Sequence, residues 1–140
     1  MLNRQPRAGA EAGTVLLVDD DDSVRTLIRI LLTDRGYRVL EAHDAEEAFD
    51  AAARYAEPID LLITDVVMPG MRGPELAKHM CASYANLKVL FISGFGYDAS
   101  ISRPHGLNNG NNGASEPPEL LQKPFSLGDM ARRVDALMAL

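Results

Sequence analysis

Five side chains stand at the ends of apolar runs and are of types that could handle phosphate together: Asp19, Asp20, Asp65, Ser93 and Lys123. Asp19 and Asp20 follow Val15-Leu16-Leu17-Val18, and Asp65 follows Leu61-Leu62-Ile63-Thr64. Ser93 closes the run that starts at Lys88, and Lys123 follows Leu120-Leu121-Gln122. Three carboxylates gathered at one place would repel one another or force a proton onto one of them. A hard divalent cation, Mg²⁺ or Mn²⁺, removes that conflict, because it takes carboxylates together with waters and phosphate oxygens. The same ion would neutralise a phosphoryl group arriving at Asp65. Lys123 would add a compact ammonium suited to a point contact with phosphate or carboxylate. The Ser93 hydroxyl could donate to a phosphoryl oxygen.

For these residues to meet, the runs that carry them must be neighbouring strands. The continuous apolar stretches at 15–18, 61–64 and 88–93 suit strands buried on both faces. Residues 38–42 and 120–122 read as shorter strands. Helices lie between them. Residues 23–35 carry Val24, Leu27, Ile28 and Leu31 at helical spacing, and Gly36 stops the helix. Asp44 with Glu47 makes a capping-box pattern ahead of Ala48, Phe49 and Ala52. Pro74 suits the first turn of a helix carrying Leu76, Ala77 and Met80. Ser126 and Asp129 open a last helix with Met130, Val134, Leu137 and Met138 on one stripe. Strands alternating with amphipathic helices predict an α/β fold, a doubly wound five-stranded parallel sheet with helices on both faces. Ligands of such sheets bind beyond the carboxyl ends of the strands, at the switch point of strand order. The acids and Lys123 stand at those ends. Residues 1–13 read as a flexible tail or linker and residues 14–140 as one domain.

The composition narrows the classes further. The chain has 140 residues, 46% of them hydrophobic and 24% charged, which fits one ordinary globular domain. A net charge of −6 argues against nucleic acid and against an anionic membrane surface. Cys81 is the single cysteine, so an internal disulfide is excluded and a reducing compartment is expected. No signal pattern and no apolar run of membrane-spanning length is present, so the expected location is cytoplasmic, without membrane insertion. Asp21 and Asp22 read as cap or dipole partners of the first helix rather than metal ligands. His43, His79 and His105 are scattered and read as ordinary unpaired polar residues. Met68 and Met71 are expected to pack in the turn after Asp65, and Cys81 in the core on the third helix.

Four motifs in order, VLLVDDDDSVR (15–25), LLITDVVMPGMRGPEL (61–76), VLFISG (89–94) and LLQKPF (120–125), resemble the receiver domain of bacterial two-component response regulators. VLFISGF and LQKPF look particularly similar to receivers attached to hybrid histidine kinases. The resemblance implies a flavodoxin-like fold with strand order 2-1-3-4-5, an order for which the family supplies a standard example. It implies that Asp65 is the phosphoacceptor. It makes Asp19, Asp20, Asp65 and the backbone carbonyl of Val67 the ligands of a Mg²⁺ or Mn²⁺ ion. Ser93 becomes the switch hydroxyl and Lys123 the phosphoryl contact, with a cis Lys123-Pro124 bond. The partners implied are a histidine kinase or phosphotransfer protein as donor and a downstream protein as receiver of the signal. The domain would be a switch that catalyses its own phosphorylation and dephosphorylation. It would be a single-domain regulator or a receiver excised from a hybrid kinase.

The sequence departs from the family at three places. Leu120 stands where an aromatic residue is common, three places before the lysine, and that aromatic's movement accompanies the switch hydroxyl. Arg72 stands where an acidic or small residue is common and should lie on the pocket rim, where it would alter phosphoryl lifetime. The stretch between Ser93 and Lys123 is long and carries Pro104, two Asn-Gly steps and Pro117-Pro118. That density predicts a shortened or disrupted helix between the fourth and fifth strands, and with it a remodelled output face. A non-phosphorylated pseudo-receiver acting as a binding module is the competing reading. A haloacid-dehalogenase phosphatase needs a second acid where Val67 stands. A flavodoxin needs a phosphate-cradling loop where four aspartates would repel its cofactor.

Overall fold

The computed structural model describes residues 12–94 and 119–140. Five parallel strands, β1 (Thr14–Val18), β2 (Arg38–Ala42), β3 (Leu61–Asp65), β4 (Lys88–Ser93) and β5 (Glu119–Gln122), form one sheet in the order β2-β1-β3-β4-β5. Four helices belong to the described residues: α1 (Asp22–Asp34), α2 (Ala45–Arg54), α3 (Gly73–Ser83) and α4 (Leu127–Met138). The expected helix between β4 and β5, and the remodelled face built on it, lie outside the described residues.

Strand periodicity divides the core into two layers. Leu16, Val18, Leu62 and Phe91 point to one face, where Ala48 and Ala52 of α2 and Leu76, Ala77 and Met80 of α3 cover them. Val15, Leu17, Leu61, Ile63, Leu90 and Ile92 point to the other, under Ile28 and Leu32 of α1 and Met130, Val134 and Leu137 of α4. All residues of β1 and β3 are buried, as central parallel strands must be, whereas the edge strands β2 and β5 are only partly covered.

The helix ends follow their local sequence. Asp21 caps α1 by accepting from the amides of Ser23 and Val24. At its far end Gly36 takes φ 97°, and its N–H and that of Tyr37 return to Thr33 and Leu32, so the last carbonyls are satisfied. Asp44 caps α2 by accepting from Glu47. The return bond of the expected capping box goes instead to the amide of His43, one residue earlier. Ser126 caps α4 through the Asp129 amide.

Two expectations need correction. Leu27 is 53% exposed, and the buried stripe of α1 runs through Ile28 and Leu32, because a straight helix offers the sheet only one narrow face. His43 is not unpaired: its Nδ1 lies 2.6 Å from Glu47 one helical turn on, and its Nε2 3.3 Å from Asp44. Met68 packs in the turn as expected, and Cys81 is half-buried against the α3 side of the core.

Candidate functional site

The strand order reverses at β1, which pairs with β2 on one side and β3 on the other. Val18 is level with Thr64, so the next residues, Asp19 and Asp65, emerge side by side at the carboxyl end of the sheet. Backbone bonds extend the ladders past the strands and hold these exits. The Asp19 amide donates to Ala42, that of Val66 to Ile92, and that of Lys123 to Ser93 at 2.7 Å.

Asp19, Asp20 and Asp65 each offer a carboxylate oxygen to one place, all within 4.8 Å of one another. Asp19 is fully buried and Asp65 nearly so, while Asp20 is exposed. Lys123 Nζ donates to Asp65 Oδ2 at 3.3 Å and lies 3.6 Å from Asp19 Oδ2, an ion-pair distance too long for a hydrogen bond. Asp19 Oδ1 accepts from the Asp21 amide at 2.8 Å, and the other oxygen, Oδ2, is buried with no hydrogen-bond partner.

Burial pushes the Asp19 carboxyl above the ordinary aspartate range, against the Asp21 amide, with Asp65 adding to the rise. Burial likewise raises Asp65, and Lys123 only partly offsets it. Burial acts to lower the Lys123 ammonium, but Asp19 and Asp65 outweigh it and the net direction is upward. Buried carboxylates short of counter-charge, one with a bare oxygen, suit a hard divalent cation.

The sequence-predicted residues separate clearly. Asp19, Asp20, Asp65 and Lys123 come together. Ser93 is buried at the end of β4, next to the Ile92 that pairs with Asp65, but its hydroxyl donates to the neighbouring Gly94 carbonyl at 3.3 Å. Val67 lies in the turn two residues beyond Asp65, with its side chain 65% exposed. The Lys123-Pro124 bond is cis, as expected. Leu120 is half-buried beside Phe91. Arg72 caps α3 without a side-chain bond to the helix amides, and the next residue reaches back to the turn after Asp65.

Two residues that position the site escaped the sequence reading. The Gly73 N–H donates to the Val66 carbonyl at 2.9 Å, and a Cβ at Gly73 would stand 2.1 Å from the Asp65 carbonyl oxygen. Its place just before Pro74 at a helix start was the available signal. Arg25 donates to the Asp19 carbonyl at 2.8 Å. A charged residue on the inner edge of α1, three and four places after Asp22 and Asp21, was a weaker signal.

Residues 15–135 match the family model of the response regulator receiver domain. The chain belongs to this family. Among its relatives, sensor kinase CckA of Brucella abortus (strain 2308) is 35% identical over 127 residues, which are 91% of this chain and 13% of the kinase. The response regulator receiver protein CpdR of the same strain is 32% identical over 124 residues, 89% of this chain and 95% of CpdR. Response regulator MprA of Mycobacterium avium (strain 104) is 34% identical, and the match takes in 50% of it. This receiver therefore spans a small part of the kinase and half of MprA. Among solved structures, the receiver domain of the hybrid histidine kinase CckA is 38% identical with a TM-score of 0.70, covering 90% of this chain and 99% of that one. Chemotaxis response regulator CheY4 of Vibrio cholerae is 28% identical with a TM-score of 0.71, covering 89% and 98%. The receiver is a phosphoacceptor domain of two-component signalling, and nothing in its relatives favours the pseudo-receiver reading.

Proposed function

We propose that Asp65 is the phosphoacceptor, working with a Mg²⁺ or Mn²⁺ ion held by Asp19, Asp20, Asp65 and the Val67 carbonyl. The observation that carries this is the convergence of three carboxylate oxygens within 4.8 Å beside the Lys123 ammonium. When bound, the ion supplies positive charge to the transferred phosphoryl oxygens. Asp65 contributes the nucleophile: a carboxylate oxygen forms the new O–P bond as the P–N bond of a phosphohistidine breaks, and that electron pair leaves with the imidazole nitrogen. Lys123, already 3.3 Å from Asp65, contacts the added group. Ser93 is the switch hydroxyl, and its bond to Gly94 is the one it must leave to reach the phosphoryl oxygens.

The donor on this reading is a histidine kinase or phosphotransfer protein, and the output is a protein contact biased by the added charge. Residues 14–140 make up the receiver and residues 1–13 a tail. A donor of that kind places the site of action in the cytoplasm; no helix among the described residues is long and apolar enough to cross a membrane.

Incubation with Mg²⁺ and a small phosphodonor, followed by intact mass, tests the assignment. One added phosphoryl group is expected, absent without Mg²⁺ and absent in Asp65→Asn. An adduct that survives Asp65→Asn would move the acceptor elsewhere.

A further inference from the structure

Arg25 lies on α1, and its guanidinium spreads over three segments. One terminal nitrogen donates to the Asp19 carbonyl at 2.8 Å, Nε donates to Glu41 on β2 at 3.2 Å, and the other terminal nitrogen donates to Asp22 at 2.8 Å. The side chain is 15% exposed; its bonds to Asp19 and Glu41 are partly buried, whereas the one to Asp22 lies at the surface. Glu41 also pairs with Arg29 at 3.0 Å, which braces it from a second side.

The bonds of Asp19 show what this achieves. Its amide is held by Ala42, its Oδ1 by the Asp21 amide and its carbonyl by Arg25. Only Oδ2 is left without a hydrogen bond, 3.6 Å from Lys123 Nζ, in the residue that shares the acidic cluster with Asp20 and Asp65. The carbonyl held by Arg25 belongs to the peptide joining Asp19 to Asp20. Asp20 is exposed, so packing does little to hold it, and this peptide plane fixes the backbone from which its side chain starts.

Charge and position make opposite demands here. A guanidinium beside an acidic cluster lowers that cluster's attraction for a cation. A donor that freezes a ligand-bearing peptide raises cation affinity, because outer partners of metal ligands are typically worth tenfold to a hundredfold in binding.

We propose that Arg25, braced by Glu41, is a positioning residue for the divalent cation, fixing the Asp19–Asp20 peptide so that both carboxylates face one ion. This rests on the cation reading given above. The two are separated by titrating metal-free protein with Mn²⁺ and following the free ion by electron paramagnetic resonance. Thermal midpoints of the metal-free forms are recorded alongside. The wild type should bind one Mn²⁺, and Asp20→Asn should weaken it; failure of either overturns the cation reading and this proposal with it. With binding established, Arg25→Gln should weaken Mn²⁺ about tenfold or more. Arg25→Lys should recover part of that loss, since one ammonium cannot serve Asp19 and Glu41 in the fixed fork of an arginine. Unchanged affinity in folded Arg25→Gln, whatever its thermal midpoint, would leave Arg25 a purely structural residue. Tighter binding would make it a mere counter-charge. Both results overturn the proposal. Should Arg25→Gln not fold, Glu41→Ala decides alone: it leaves the bond from Arg25 to Asp19 available and removes the acceptor that braces Arg25. A few-fold loss supports the proposal and unchanged binding refutes it.

Discussion

Asp65 must carry a charge where water solvates it poorly, and this governs how the residue responds to pH. Its carboxyl is raised above the ordinary aspartate range by burial, and Lys123 offsets this only in part. The native state therefore holds this proton more tightly than the unfolded chain does. The stability tied to it is fully present below the ordinary aspartate pKa of about 3.9 and is lost as pH rises through the raised native value. At neutral pH and without metal, Asp65→Asn should thus be more stable than the wild type. The gap should close as pH falls, and Mg²⁺ should stabilise the wild type more than the variant. Urea unfolding across a pH series checks this; a metal-free variant less stable than the wild type at neutral pH would show that Lys123 already outweighs burial. The four residues that meet in the pocket were legible because each is a polar side chain placed where an apolar run ends. Arg25 was not, because its role depends on a carbonyl that no residue type reveals.

At the scale of elements, the site depends on how closely α3 approaches the end of β3. Gly73 opens α3, and a methyl group there would meet the Asp65 carbonyl oxygen at 2.1 Å and the Val66 Cα at 3.1 Å. Both obstacles are backbone, so relief requires the helix start or the acceptor's strand end to move. Gly73→Ala should cost about 2–3 kcal/mol, the upper range for overpacking, and should also slow phosphorylation of Asp65. Gly70 is the control. Its φ of 80° disfavours a side chain, but nothing lies within 4 Å of the position a Cβ would take. Gly70→Ala should cost only about 1 kcal/mol, from backbone conformation alone. Chemical denaturation of both variants, with phosphorylation rates, separates the two effects; equal losses would contradict the close approach. The helix boundaries themselves were readable, because Asp21, Gly36, Asp44 and Ser126 do local work that depends on sequence neighbours only.

The whole molecule is tied across one face by a polar cluster that joins positions far apart in the chain. Asp135 on α4 accepts from Tyr37 Oη at 2.7 Å and pairs with Arg35, the last residue of the α1 cap. Burial first, then the bond to Asp135, pushes the Tyr37 phenol up to about 12. Its contribution to stability is present below the ordinary tyrosine pKa of about 10 and is lost as pH rises through about 12. Asp135 moves the other way: Arg35 lowers its carboxyl, so its contribution is present above the ordinary aspartate value and is lost as pH falls through the lowered one. Asp135→Asn should bring the Tyr37 phenol down towards 10 in an ultraviolet titration. The stability loss should be no more than ~1 kcal/mol and should shrink in salt, since the pair is partly exposed. A phenol that titrates unchanged in the variant would break the link between α1 and α4.

The sequence by itself determined the order of strands and helices, most of their ends and the identity of the acids, because periodicity, caps and charge at strand ends are local properties. The parallel sheet followed from the alternation, and the strand order 2-1-3-4-5 came only through likeness to a family. Tertiary structure decided what depends on distance and burial. It placed Asp19 level with Asp65 and left one buried carboxylate oxygen bare. It turned the Ser93 hydroxyl to Gly94, drew Glu47 to His43 rather than to its cap, and exposed Leu27. Each of these depends on which atoms from remote parts of the chain come within a few ångströms, and residue type alone does not encode that.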